Sequence, residues 1–236
     1  MFGQKAAEFA RQTSQMEDQA WLLVHCVGWI EIHGGDLEKG ENEIREGLAI
    51  YEALDHHTGI RNALHNLGLA LRYKGDFKNS RAYYEKGKQM AESMNDELVI
   101  ISFKRGLSVL DISQGNLEKA KASLEEILPF VRERDQVTLP GTLANLADVN
   151  YRLKQYDAAL ELGKEALVLA QKMKKRPTIA WLFRILSNTE TALGNYQAAF
   201  DLAKQALAFY ESSKLFAKTV EELKAHIQDL QKKLAS

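Results

Sequence analysis

Cysteine is nearly absent: Cys26 is the only one in 236 residues. A single thiol excludes an internal disulfide framework and any zinc site built from several cysteines, and it suits a reducing compartment, so a cytoplasmic location is expected. Proline is almost as scarce, at 3, and glycine numbers 15. In their place the chain is rich in Ala, Leu, Glu, Lys and Gln, the residues that lose least on entering a helix, and an all-α fold is expected. Long apolar runs are missing too. Stretches such as Trp21 to Val24 fall far short of a bilayer span, and no charged segment leading into an apolar one opens the chain, so no membrane partner is expected. Nor does one sign of charge dominate. Lys plus Arg number 31 against 32 Asp plus Glu, a formal net charge of -1, which lacks the electrostatic footprint that a phosphate backbone requires. Nucleic acid is not an expected partner.

Recognisable chemistry is lacking as well. There is no GxGxxG, and no Gly-Lys-Ser/Thr closes a phosphate loop. The six histidines, His25, His33, His56, His57, His65 and His226, show no metal-ligand spacing on one helix. His56 and His57 read as ordinary loop residues, and Cys26 as a small packing residue without a basic neighbour to activate it. No Ser, Cys or carboxylate stands in a nucleophile or acid-base context. The expectation is a protein that is not an enzyme and needs no cofactor or metal.

What is present is a repeat. The stretch KGDFKNSRAYYEKG, Lys74 to Gly87, has counterparts at 34–47, 114–127, 154–166 and 193–206. The apolar residue after each turn, Leu37, Phe77, Leu117, Tyr156 and Tyr196, recurs at intervals of 40, 40, 39 and 40. Such a period belongs to repeat architectures, where each unit stacks on the next. Each unit reads as two helices and a tight turn. Gly35, Gly75, Gly115 and Gly194 suit the left-handed position that ends the first helix, and Asp36, Asp76, Asn116 and Asn195 suit the cap of the second. The fourth unit has Lys154 and Gln155 there, which predicts a looser or differently capped turn. Pro140 and Pro177 fall near the starts of the fourth and fifth units, where a first-turn proline is tolerated.

A period near 40 is shared by HEAT, armadillo and WD40 arrays, so residue identities must decide. Numbering each unit so that the apolar residue after the turn is position 17, position 8 holds Gly28, Gly68, Ser108, Ala147 and Ser187, and position 20 holds Gly40, Ser80, Ala120, Ala159 and Ala199. Small residues at both places permit close helix approach, with larger ones at positions 4, 7, 11 and 24 interdigitating around them. With Leu64, Leu67, Leu71, Phe77, Tyr84 and Gly87 in the second unit, the pattern resembles the tetratricopeptide repeat (TPR), W-x2-L-G-x2-Y followed by G-x-Y-x2-A-x3-Y/F-x2-A. It is similar to the longer-unit variety of the Pins adaptor and of bacterial signal-transduction ATPases and MalT-like regulators.

The resemblance implies a right-handed α-solenoid. It predicts one domain over 1–236: the second helix of an incomplete unit in 1–17, full units at 18–57, 58–97, 98–137, 138–176 and 177–216, and a capping helix in 217–236. Val220, Leu223, Ile227, Leu230 and Leu234 form the single apolar stripe that a terminal element needs. Ala6 to Met16 aligns with a second helix whose first is missing, so the chain is expected to be the C-terminal part of a longer protein, with an N-terminal domain of the same polypeptide as a further partner.

Helix geometry, about 100° per residue, separates core from groove. Positions 2, 5, 9, 12 and 13 share the side opposite the core, and in a TPR superhelix that side lines the concave surface where the family binds peptides. Reading it along the chain gives Leu22, His25, Trp29, Ile32 and His33; Asn62, His65, Leu69, Arg72 and Tyr73; Ser102, Arg105, Val109, Ile112 and Ser113; Gly141, Ala144, Asp148, Tyr151 and Arg152; and Trp181, Arg184, Asn188, Thr191 and Ala192. Four arginines face one aspartate. Arginine and aromatics on one face suit an acidic or extended peptide, which is the expected ligand. Arg105 and Asn145 match part of the two-carboxylate clamp of some family members, but Val109 departs from it. The alternative expectation is a sensor domain of a larger signalling ATPase or transcriptional regulator, recognising an effector or an intramolecular segment. The three tryptophans, Trp21, Trp29 and Trp181, read first as packing residues, with Trp29 and Trp181 also on the groove stripe.

Overall fold

The computed structural model describes residues 15–213 and 216–235. The incomplete repeat expected in 1–17 therefore lies outside the described residues up to position 14, and Met16 already begins the next helix. Among the described residues there are eleven helices and no strand. They fall into two compact units, one ending at Gln114 and one beginning at Gly115.

The first unit opens with α1, which runs as an α-helix over Met16–Trp21, widens to a π-helix over Leu22–Val27 and resumes as an α-helix over Gly28–Gly34. It continues with α2 (Leu37–Ala53), α3 (His57–Lys74), α4 (Phe77–Ser93) and α5 (Glu97–Ser113). The second unit holds α6 (Leu117–Arg134), α7 (Leu139–Arg152), α8 (Tyr156–Lys172), α9 (Arg176–Ala192), α10 (Tyr196–Ser213) and α11 (Ala217–Ala235). Within each unit every helix packs on the next in sequence, and α3 also meets α5, as α7 meets α9. This is an all-α solenoid of helix-turn-helix pairs.

The turns follow from their residues. At the α3–α4 joint Gly75 takes the left-handed conformation (φ 82°), Asp76 N–H reaches back to Leu71 O at 2.9 Å, and the Asp76 carboxylate accepts from Asn79 N–H at 3.2 Å. The α7–α8 joint, expected to be looser or differently capped, keeps its backbone geometry and differs in its cap. Lys154 adopts the same left-handed conformation (φ 61°), and Gln155 N–H reaches Asn150 O at 2.8 Å, so the backbone bonds are kept and Lys154 bears the strain that glycine avoids. Only the side-chain cap is missing there. Asn116 likewise stands at a cap position without making the bond. His56, expected to be an ordinary loop residue, is instead the cap of α3: its Nδ1 accepts from Gly59 N–H at 2.9 Å while its ring stacks on Tyr51.

Small residues set the helix spacing. A Cβ on Gly68 would lie 2.7 Å from the Tyr84 ring, and one on Gly87 would lie 2.1 Å from that of Phe103. Ser80 Oγ donates to Gly68 O at 2.7 Å and Ser187 Oγ to Ala199 O at 2.8 Å, so positions 8 and 20 are also tied by hydrogen bonds. Around them Leu64, Leu67, Ile44 and Tyr51 fill the first unit, and Ala199, Ala203, Leu223 and Leu230 the second. Each large apolar side chain so buried contributes about 1.5–3 kcal/mol. At position 11 the larger side chains are buried polar ones in three units. Asp111 is buried beside Arg81, Glu190 accepts from Asn195 Nδ2, and Asn150 is buried with its amide donating to Leu146 O.

Candidate functional site

In the first unit the predicted groove residues come together on α1, α3 and α5. The π-helical segment matters here. Its wider turn brings residues four apart closer to eclipsed than a 3.6-residue turn does, which helps keep Trp21, His25 and Trp29 on one face. Asn66 Nδ2 donates to Val24 O at 3.1 Å, so a side chain from α3 satisfies a carbonyl within that segment.

Contacts then run from ring to ring. Trp21 meets His25 at 5.5 Å between centroids; Trp29 stacks on His33 at 4.2 Å and 26°; His33 meets Tyr73 edge-on at 5.8 Å; and the Arg72 guanidinium lies 4.4 Å over the Tyr73 ring. His33 Nδ1 is 2.8 Å from Trp29 O, and Arg72 Nη1 donates to Ser113 Oγ at 3.2 Å. These are large apolar rings left in solvent: Trp21 is 51%, Trp29 40% and Tyr73 47% exposed. For Trp21 and Trp29 this replaces the packing reading with a surface one. Trp21, at position 1 of its repeat, lay outside the predicted stripe, which began at position 2, although it is four residues from His25 and so shares its face.

Other predicted residues sit differently. Asn62 is exposed, while Leu69 and Arg105 are half-buried. His65 is pressed between core rings, 5.5 Å from Tyr84 and 5.8 Å from Phe103. Ile32 and Ile112, assigned to the groove, are buried: position 12 lies at the edge of the stripe, where these apolar side chains turn inward while Arg72 and Tyr151 at the same position stay half-buried. The exposed face is therefore narrower than the sequence pattern.

Electrostatics follow the same geometry. Burial lowers the pKa of His25. Burial, with Arg72 nearby, lowers that of His33 despite its bond to the Trp29 carbonyl. His65 is held down to about 4, first by burial and then by Arg105 and Arg72. Burial also pushes Tyr84 up to about 12. At neutral pH the histidines are uncharged, so the face carries positive charge from Arg72 and Arg105 and no carboxylate of its own stripe.

In the second unit the predicted arginines are already engaged. Arg152 pairs with Asp148, four residues earlier on the same helix, at 3.1 Å. Arg184 faces Glu222 of α11 at 3.8 Å, a partner outside the stripe and so missed in counting its charges. Tyr151 lies 6.1 Å from Tyr156, and Trp181 and Asn188 are half-buried. Asn145, proposed as part of a clamp, is only 3% exposed; it belongs to a turn of α7 buried nearly all round.

Ser187 and His226 are in contact at 3.1 Å, but they do not form a nucleophile and base. Ser187 is fully buried and its hydroxyl proton is committed to Ala199 O. Among the described residues no group of three or more His, Cys, Asp or Glu could hold a metal ion, and no helix is long and apolar enough to cross a membrane.

No curated protein matches the chain in sequence. Solved structures do match in fold. BtubC from P. vanneervenii is 17% identical with a TM-score of 0.64, over 87% of this chain and 84% of that one. A signal-transduction ATPase with numerous domains, carrying a tetratricopeptide repeat sensor, from Pyrococcus horikoshii is also 17% identical with a TM-score of 0.65, over 94% of this chain but 33% of that one. The Rap conjugation gene regulator of plasmid pLS20, in complex with the Phr* peptide, is 14% identical with a TM-score of 0.62, over 97% and 74%. The family model for the tetratricopeptide repeat matches residues 18–93 and 139–212, more than half of the sequence. With its paired helices, small residues at positions 8 and 20 and glycine turns, the chain belongs to the tetratricopeptide repeat family.

Proposed function

We propose that this protein is an interaction module without catalytic activity, and that the face formed by α1, α3 and α5 binds an extended, acidic segment of another protein. The observation that carries this reading is the Trp29–His33–Tyr73 contact chain, ending in the Arg72 guanidinium. Aromatic rings left about half exposed beside an arginine are the residue types that anchor protein interfaces. The pLS20 regulator, whose structure contains a bound peptide, supports the reading by its fold. Selection of a random linear peptide library against the whole chain tests it. Binders should be lost on Trp29→Ala or Tyr73→Ala and kept on Lys86→Ala, which lies on α4; binders insensitive to both aromatic substitutions would contradict it.

A second reading is supported by the Pyrococcus ATPase, in which a stretch similar to this chain makes up a third of a larger signalling protein. There the same face would hold an effector or an intramolecular segment and control an N-terminal module. An upstream reading frame encoding a phosphate-loop ATPase would support it, and a stop codon directly upstream of Met1 would contradict it.

A further inference from the structure

Arg72 differs from three other arginines of its unit. Arg45, Arg61 and Arg81 each donate to a carboxylate, of Glu41, Asp96 and Asp111 respectively. Arg72 is half-buried, and the oxygens it meets are the neutral hydroxyls of Ser113 and Tyr84. Its Nε is buried with no acceptor among the described residues, and among those residues it pairs with no carboxylate. A guanidinium does not shed its proton at any ordinary pH, so this one is partly stripped of water without a counter-charge. Its charge is felt nearby, since it helps hold both His33 and His65 neutral.

The aromatic contacts start at the same side chain. Tyr73 lies under the guanidinium, His33 against Tyr73, and Trp29 against His33. An anion arriving at Arg72 would therefore bring its neighbouring residues over exposed rings. Ser113 and Tyr84 already hold part of the guanidinium, and the N–H groups left suit one carboxylate; a phosphate dianion calls for a cluster of arginines.

We propose that Arg72 receives one aspartate or glutamate side chain of the bound segment, and that Trp29, His33 and Tyr73 take an aromatic or aliphatic side chain adjoining that acid. This rests on the peptide-binding reading of the same face and specifies what the peptide must carry. Arg72 sets specificity by rejecting segments that would leave its charge unpaired.

The test uses peptides selected from the random library against the whole chain, resynthesised with amidated C-termini so that no chain-end carboxylate competes. Each acidic residue is replaced by its amide, and affinities are measured for the wild type and for Arg72→Gln, with helicity followed by circular dichroism. One acid-to-amide change should weaken wild-type binding at least tenfold and Arg72→Gln binding less than threefold. Arg72→Lys should restore only part of the loss, since it keeps the charge without the planar fork. Selected peptides without an acidic residue, or equal losses in both proteins, would overturn the assignment of Arg72 while leaving the peptide-binding reading intact. Recovery of no binding peptide would overturn both.

Discussion

His226 Nε2 on α11 lies 3.1 Å from Ser187 Oγ on α9. Because Ser187 donates its own proton to Ala199 O, it accepts from His226, whose Nε2 therefore carries a proton. The His226 side chain thus ties the last helix to α9, beside the apolar contacts of Leu223 and Leu230. Replacing it, His226→Ala, should weaken the docking of α11 by about 1 kcal/mol, the net worth of one such bond. Amide exchange in α11 should accelerate accordingly while that of α2 and α4 is unchanged; uniform acceleration throughout the chain would contradict this local role.

Close approach at Gly68 predicts a cost of overpacking. Gly68→Ala places a Cβ 2.7 Å from the Tyr84 ring, which is itself buried and cannot swing aside. The expected loss is about 1–3 kcal/mol by urea unfolding. In a Tyr84→Leu background the same substitution should cost less than half as much. Equal costs in the two backgrounds would show that backbone preference, not the ring, decides the position.

The strained turn at Lys154 predicts a gain. Lys154 has the left-handed backbone that Gly75 and Gly194 occupy in the equivalent turns. Lys154→Gly should raise stability by about 0.5–1 kcal/mol, the relief of strain being partly offset by greater freedom in the unfolded chain. The reverse change, Gly75→Ala, should lower it by a similar amount. Thermal unfolding of both variants checks the pair.

His65 gives the protein an acid limb. Its folded pKa, about 4, lies below the unfolded value of 6.5, with burial the main cause and Arg105 and Arg72 adding to it. Its contribution to stability is therefore complete above pH 6.5 and is lost as pH falls from there toward 4. By pH 5 the loss is about 2 kcal/mol. Urea unfolding of the wild type and His65→Gln at pH 7 and pH 5 isolates this contribution from that of the carboxylates. The wild type should lose about 2 kcal/mol more than the variant over this interval; parallel losses would place the His65 ring in water.

Much of the fold was legible because it is repetitive. Five copies of the same small and apolar spacings, with glycine at four of five turns, fix helix-turn-helix pairs whatever the surface residues are. The groove was legible only in outline. Trp29 meets His33 through the helix period of α1, and His33 meets Tyr73, under Arg72, because the stacking of successive repeats sets α3 beside α1. What periodicity cannot carry is a change of period or a partner from elsewhere. The π turn within α1 and Glu222 reaching Arg184 depend on one irregular turn and on a contact distant in sequence, and the histidine that caps α3 is not one of the usual cap residues. Nor does an ideal helical wheel resolve a boundary position, which is why Ile32 and Ile112 read as groove and are buried.

The most direct test of the binding face uses the tryptophans as reporters. The chain has 3, Trp21, Trp29 and Trp181, whose indole N–H signals can be assigned by single substitution and followed by two-dimensional NMR during titration with a selected peptide. A segment seated along α1 and α3 should move the Trp29 signal to a saturating limit that tracks the binding curve, and Arg72→Gln should shift that curve to weaker affinity. Saturation with the Trp29 signal unmoved would place the peptide elsewhere and contradict the assignment of this face.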